Sequence, residues 1–489
     1  MEMTAFTLER RPGKPLYEQL YQQLKERIAA GSLPSGEKLP SKLRLASLLG
    51  VSKNTVETAY EQLVVEGYVE ARPKRGYFVC FQDRLGYVGR PGPAASQPAN
   101  PPRPAGPDIW ADFHPSRIDA AYFPYTKWRK YIREALDASA ADLLQIGDNQ
   151  GEYALRVQIA EYLRCARGVR CGPEQIVVGA GMEVLLTQLH MLLGREVCYG
   201  LEDPGYELPR RLLMRLTDRV LPVPIDGRGL QPDILRKTSA NAAYVTPSHQ
   251  FPYGSVMPAG RRQELLAWAG EGPGRYILED DYDSEFRYAG RPVDALMSMD
   301  TDGRVVYFGT FSKALIPSLR IGFMVLPPSL LERCRQNLDF YHNTVSRIDQ
   351  AALARFMAEG DFERHVNRMR KVYRRKLEKT RAVLSSYGDR LTLRGDSAGF
   401  YVLLEVKNGM DEETLCRRAR EAGLRVYPLS ASLPAGEKGP PGILLGFAGL
   451  PEEKLEPALR RLLSAWRGGG QCPLTNVTGP EDTAGFFAR

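Results

Sequence analysis

Tyr307-Phe308-Gly309-Thr310-Phe311-Ser312-Lys313, running on through Ala314-Leu315-Ile316-Pro317-Ser318-Leu319-Arg320-Ile321-Gly322-Phe323, is the stretch around which the chain is organised. The apolar run Val305–Phe308 reads as a buried strand. It opens into a turn of small residues, then one lysine flanked by hydroxyls, with an arginine seven residues later. A lysine in apolar surroundings loses its proton more readily and can attack a carbonyl to form a Schiff base. Thr310, Ser312 and Arg320 offer hydroxyls and a guanidinium suited to a phosphate. Taken alone, the pattern is equally compatible with a solvated surface lysine.

A second stretch, Tyr276-Ile277-Leu278-Glu279-Asp280-Asp281-Tyr282-Asp283, reads as a strand entering an acidic loop. Side chains two apart on a strand share a face, so Asp280 and Tyr282 are expected to point the same way as Leu278. An acid against a pyridinium nitrogen keeps such a ring protonated and electron-withdrawing, and a phenol suits its ring hydroxyl. With Lys313, these are the parts that hold pyridoxal 5'-phosphate (PLP) covalently. The competing reading is a divalent-metal site built from the clustered aspartates, although no histidine stands within reach in sequence.

The segments 279–288 (Glu-Asp-Asp-Tyr-Asp-Ser-Glu-Phe-Arg-Tyr), 246–252 (Thr-Pro-Ser-His-Gln-Phe-Pro) and Gly309-Thr310-Phe311-Ser312-Lys313 resemble a fold-type I PLP enzyme of the aspartate aminotransferase class. More specifically, they resemble the MocR type of bacterial regulator, which joins a GntR-type DNA-binding domain to an aminotransferase-like domain. The resemblance covers nearly the whole chain. It implies that Lys313 forms the Schiff base, that Asp280 faces the pyridinium, and that Tyr282 bonds the ring oxygen. It also makes Tyr206, after Pro204-Gly205, the ring that stacks on the cofactor. A glycine-bearing turn from strand to helix aims backbone N–H groups at an anion. The turn at Gly179-Ala180-Gly181-Met182 therefore joins Thr310, Ser312 and Arg320 as the expected phosphate site. Where the family often has Thr-Gln after the glycine, this chain has Met182-Glu183, so side-chain help from that position is lost.

The 489 residues suggest two or three domains. A composition 43% apolar and 25% charged gives ample material for cores. The formal charge of +8 permits a nucleic-acid partner without requiring one. Seven cysteines without a C-x-x-C pair argue against a disulfide framework or zinc finger. No signal pattern or long apolar run is present, so a soluble cytoplasmic protein with no membrane partner is expected. The expected division is a winged helix-turn-helix over 1–80, a Pro/Gly-rich linker over 81–108 and an α/β aminotransferase-like domain over 109–467. Within that domain a mostly parallel sheet leads to a smaller C-terminal α/β lobe from about 360. Its long basic helix, Phe362 to Leu384, is expected to present its charges to solvent. Residues 468–489 are expected to be poorly ordered.

In the first 80 residues, apolar spacing at Leu16, Leu20, Leu24 and Ile28 predicts one helix. Ser41 caps a second helix, Gly50-Val51-Ser52 turns, and Lys53 to Glu66 forms a third. The strands Tyr68–Ala71 and Gly76–Val79 enclose a basic tip. In this arrangement Ser52, Lys53, Asn54 and Thr55 enter the major groove, while Lys74, Arg75 and Gly76 reach the backbone or minor groove. The order of these motifs resembles the GntR family, with one departure. The family usually has an arginine where this chain has Leu43, so Lys42 or Arg44 would take over its phosphate contact. Ser41 and Arg44 complete the expected DNA-binding set.

These readings predict a transcriptional regulator that binds an operator in double-stranded DNA. It would sense PLP itself, or an amine or amino acid that displaces Lys313 to form an external aldimine. A head-to-tail homodimer is implied by the resemblance. The rival expectation is a working aminotransferase with an appended DNA-binding domain. GABA-responsive relatives hold the effector carboxylate with two arginines. The corresponding positions here are Leu208 and either Ala431 or Leu444, with Arg210 or Arg211 available near the first. That favours PLP over GABA as the signal, with taurine or a polyamine as further alternatives.

Overall fold

The computed structural model describes residues 6, 8, 9, 15–81, 108–288, 290, 293–433 and 441–467. All of the expected linker except Phe81 and Asp108 lies outside the described residues, as does the whole tail 468–489. The chain divides into two compact units, Met1–Ala105 and Gly106–Arg489.

The first unit contains α1 (Leu16–Ala29), α2 (Lys42–Leu49) and α3 (Lys53–Val65), followed by β1 (Val69–Arg72) and β2 (Gly76–Val79). Each helix start has a local cause. The Ser41 side chain accepts from the Arg44 amide at 3.3 Å, and that of Ser52 from the Thr55 amide at 3.1 Å. These bonds satisfy amides that have no partner within the helix. Gly50 closes α2 at φ 63°, a left-handed conformation that glycine adopts without strain. Leu20, Leu24, Ile28, Val56, Tyr60 and Leu63 form the core, each side chain contributing about 1.5–3 kcal/mol by its burial. The wing is an antiparallel hairpin with Val69 opposite Val79 and Arg72 opposite Gly76.

The second unit is built on eight strands. Their order is Ile176–Gly179, Gly322–Val325, Val305–Thr310, Tyr276–Asp281, Ala242–Val245, Tyr199–Asp203, Val220–Asp226 and Gly229–Leu230. Pairing is parallel from Val305–Thr310 through to Val220–Asp226 and antiparallel at both flanks. Alternation along the strands divides the side chains between two cores. Leu278 and Phe308 pack with Leu185 and Leu189 of the helix Met182–Leu193. Ile277 and Val305 pack on the other face with Leu265 and Trp268 of the helix Ala259–Gly270. The face chosen by Leu278 therefore also carries Asp280, two residues further along the strand.

A four-stranded antiparallel sheet, ordered Leu391–Arg394, Tyr401–Val406, Gly442–Gly446 and Tyr427–Pro428, forms the C-terminal lobe. The helix Asp361–Ser385 runs into it. Its charges are not all on a solvated face, contrary to the sequence expectation. Lys376 is fully buried and donates to Asp119 Oδ2 at 2.7 Å, to the Ala448 carbonyl at 2.9 Å and to the Leu450 carbonyl at 2.6 Å. Three acceptors, one of them charged, compensate the ammonium for its lost water.

Candidate functional site

The central parallel strands finish together at Thr310, Asp281, Val245 and Asp203. In open α/β sheets of this kind ligands bind beyond the carboxyl ends of the strands. Asp280 and Thr310 stand in the last residues of these strands, and Tyr206, Tyr282, Ser312, Lys313 and Arg320 in the segments that leave them, with Gly181 and Met182 after the strand that ends at Gly179.

Asp280 is buried, and its Oδ2 accepts a hydrogen bond from the Tyr244 hydroxyl. Its Oδ1 is buried without a partner. Burial pushes its pKa up to about 7, and the negative charges of Asp281, Asp283 and Glu202 act in the same direction against the Tyr244 bond. Asp281 differs in kind. Its Oδ2 accepts from Arg167 Nε at 2.7 Å, from Ser284 Oγ at 2.9 Å and from the Tyr307 hydroxyl. Each aspartate keeps an Oδ1 buried without a partner, but a guanidinium already neutralises Asp281, whereas among the described residues no cation pairs with Asp280. A ring N–H carrying positive charge is what Asp280 lacks.

Tyr282 lies just past the strand and donates to the His249 carbonyl at 2.9 Å, with His249 Nδ1 3.1 Å away. His249 Nδ1 is also 2.8 Å from Asp283 Oδ2, and His249 Nε2 is buried without a partner. The rings of Tyr206 and Tyr282 are nearly parallel, 22° apart, with centroids at 6.0 Å. Phe251 stands 5.4 Å from Tyr206 and 5.6 Å from Tyr401, which closes an aromatic wall.

Lys313 is half-buried. Its Nζ donates to the carbonyl of Ser116 at 2.6 Å and lies 5.9 Å from the Phe400 ring centroid. Burial lowers its pKa to about 8, opposed by the charge of Asp283. The amine is thus partly neutral near physiological pH, the state in which it is a nucleophile.

At the other end of the site, Gly181 precedes the helix Met182–Leu193 with φ 96°. A Cβ there would fall 2.3 Å from Arg320 Nη2 and push the arginine aside, and the positive φ itself favours glycine. Arg320 donates to the Ala180 carbonyl at 3.3 Å and to Glu183 Oε2 at 2.6 Å. Thr310 Oγ1 accepts from the Ser312 amide at 3.1 Å, fixing the turn that carries Lys313. Helix start, hydroxyl turn and guanidinium thus lie around the carboxyl end of the strand Val305–Thr310. The residues fit PLP: an orphaned acid for the ring nitrogen, a lysine of lowered pKa for the aldehyde, and a cradle for the phosphate.

Sequence reasoning missed Tyr244, Ser116 and the pairing of Glu183 with Arg320. Tyr244 lies on a neighbouring strand, in register with Leu278, and Ser116 is 197 positions from the lysine. Neither relation leaves a local sequence signal. Of the two positions considered for a carboxylate anchor in the lobe, Leu444 packs with Tyr401, Phe251 and Tyr427, while Ala431 lies exposed in the short turn Leu429–Ser432. Leu208 is half-buried in the helix following Tyr206, and nearby Arg210 faces Glu207 at 3.5 Å while Arg211 is exposed.

In the first unit, Lys53 and Asn54 are exposed at the start of α3. The Ser52 and Thr55 hydroxyls are 2.8 Å apart and serve the cap together. Arg75 is exposed at the wing tip and Gly76 follows it. Lys42 forms an ion pair with Glu57 and stands over the Tyr77 ring. Arg44, beside the exposed Leu43, points its charge outward instead.

Residues 16–79 match the bacterial regulatory proteins of the gntR family, and residues 119–462 match aminotransferase class I and II. The probable rhizopine catabolism regulatory protein MocR of Rhizobium meliloti is 35% identical over 96% of this chain and 98% of its own. The chain belongs to the MocR-type regulators. Like them, it is an HTH-type, DNA-binding transcriptional regulator with an aminotransferase-like domain of the PLP-dependent class. The uncharacterized HTH-type transcriptional regulator YdeL of Bacillus subtilis is 40% identical over 96% of this chain and 100% of its own. The MocR-type relatives also include the HTH-type pyridoxine biosynthesis transcriptional regulator PdxR of Corynebacterium glutamicum, 33% identical over 91% and 95%. The fold of the second unit is that of a kynurenine aminotransferase from Pyrococcus horikoshii, with TM-score 0.65 and 23% identity over 74% of this chain and 91% of that one. Among the described residues no helix is long and apolar enough to cross a membrane.

Proposed function

We propose that this regulator takes up PLP covalently through Lys313 and that PLP itself sets its binding to DNA. One observation carries the reading. A half-buried lysine of lowered pKa and a buried aspartate with no cation beside it among the described residues stand at the same carboxyl end of the parallel strands. When bound, PLP supplies an electron-withdrawing ring to the amine that carries it. Asp280 would hold the proton of the ring nitrogen, Tyr282 would serve the ring oxygen, and Tyr206 would stack. Gly181, Met182, Thr310, Ser312 and Arg320 would hold the phosphate.

The choice of PLP over an amino acid rests on what surrounds the cofactor. Leu444 belongs to an apolar cluster with Tyr401 and Phe251, and a leucine there gives a carboxylate no charge to pair with. The printed role of PdxR, in pyridoxine biosynthesis, supports the same reading. On the DNA side, Ser52, Lys53, Asn54 and Thr55 would face the major groove. Ser41 and Arg44 would hold phosphate, and Arg75 with Gly76 would meet the backbone. A head-to-tail homodimer would bring two such modules to two half-sites in the cytoplasm.

The test is binding of the full-length protein to its own upstream DNA with and without PLP. A PLP-dependent change in affinity or footprint supports the reading. Unchanged binding with PLP, followed by a response only when an amine is added, moves the signal to that amine. Absence of specific DNA binding under all conditions favours an aminotransferase instead.

A further inference from the structure

Two features that would attract a phosphate, the start of the helix Met182–Leu193 and the Arg320 guanidinium, meet at Gly181. The same place already holds an anion. Glu183 Oε2 lies 2.6 Å from Arg320 Nη2, and a Cβ built on Gly181 would fall 2.9 Å from that oxygen and 2.3 Å from that nitrogen. The carboxylate therefore folds back across the glycine turn and shares the cradle with the guanidinium. Glu183 sits in the first turn of the helix, where negative charge is favoured by the exposed amides. Its side chain and that of Arg320 are 39% and 50% exposed, so both are free to rotate without breaking a core.

We propose that Glu183 is an internal competitor for the cofactor's phosphate, and that it lowers both affinity for PLP and preference for PLP over unphosphorylated pyridoxal. This rests on the reading that PLP is held at this site. A phosphate entering the cradle must either displace the carboxylate from Arg320 or lie beside it, and like charges a few Å apart repel. Either way the occupied state loses free energy relative to a site with a neutral residue at 183. The aldehyde chemistry at Lys313 is untouched, because the carboxylate acts only on the phosphate. Weakened retention suits a protein that reports PLP, since a cofactor that never leaves carries no signal.

The experiment compares the full-length wild type with Glu183→Gln, titrating each with PLP and with pyridoxal. Adduct formation at Lys313 is followed by absorbance and fixed with borohydride for mass analysis. Glu183→Gln is expected to bind PLP about tenfold more tightly, about 1.4 kcal/mol, with pyridoxal affinity unchanged. The PLP concentration that alters DNA binding should fall by the same factor. An unchanged or lower ratio of PLP to pyridoxal affinity in Glu183→Gln, with adducts still formed at Lys313, overturns the inference alone. Absence of any adduct at Lys313 with either aldehyde in either protein overturns the cofactor reading and the inference with it.

Discussion

Lys313 Nζ donates a 2.6 Å hydrogen bond to the carbonyl oxygen of Ser116, a residue 197 positions away in sequence. Ser116 belongs to the segment that crosses to the C-terminal lobe, where the Phe113 amide donates to the Arg425 carbonyl and the Gly446 amide to the Phe113 carbonyl. The Lys313 amine, beyond the end of a central strand, is thus tied to a segment anchored on the lobe. Covalent capture of an aldehyde by Lys313 would change what that nitrogen can donate, and would link occupancy of the site to the seating of the lobe.

Lys313→Ala should lose the yellow, borohydride-reducible adduct with PLP. Retention of that chromophore would show that another amine carries the cofactor.

Capture of PLP should accelerate with pH through a midpoint near 8. Below it the Lys313 amine is protonated and cannot attack; above it the neutral amine predominates and the rate levels off. Stopped-flow absorbance between pH 6.5 and 9.5 measures this, and a midpoint near the ordinary lysine value of about 10.4 would contradict the burial seen here.

The two adjacent aspartates should separate by phenotype. Asp280→Ala should weaken PLP binding by at least about tenfold with the fold retained, because no cation depends on Asp280. Asp281→Ala leaves Arg167 buried without its carboxylate and should cost about 3–5 kcal/mol of stability. Thermal melts and PLP titrations of both variants check this, and equal losses of PLP affinity at equal stability would refute the distinction.

At the DNA module, Arg44→Ala should lower the slope of log affinity against log salt by about one unit. Lys42→Ala should leave that slope unchanged, since its ammonium is held by Glu57. Binding isotherms over a salt series distinguish the two; a loss of slope in Lys42→Ala would mean that the ion pair opens on DNA.

Local chemistry made much of this architecture legible. Ser41 and Ser52 announced helix starts through caps that act within three residues, and Leu278 with Asp280 followed from strand alternation. The run from Tyr307 to Arg320 displayed its lysine, hydroxyls and guanidinium in one segment. What stayed hidden depends on partners far apart in sequence. Tyr244 meets Asp280 across neighbouring strands, and Lys376 looked solvated because its acceptors at 119, 448 and 450 lie in other elements. Whether Lys42 or Arg44 is available to DNA turned on Glu57, one helix further on.

The leucine at 444 has a bearing on noise. A cell holds amino acids at far higher concentration than free cofactor, and any sensor with an amine-accepting centre is exposed to them continually. An arginine beside that centre would draw these abundant metabolites in. The apolar cluster that Leu444 forms with Tyr401 and Phe251 offers no such charge of its own, so a carboxylate brought against it would lose hydration, at a cost of several kcal/mol. If PLP is the signal, selectivity of this kind would work by exclusion: the receptor would be kept quiet against the common background so that a scarce molecule could be heard.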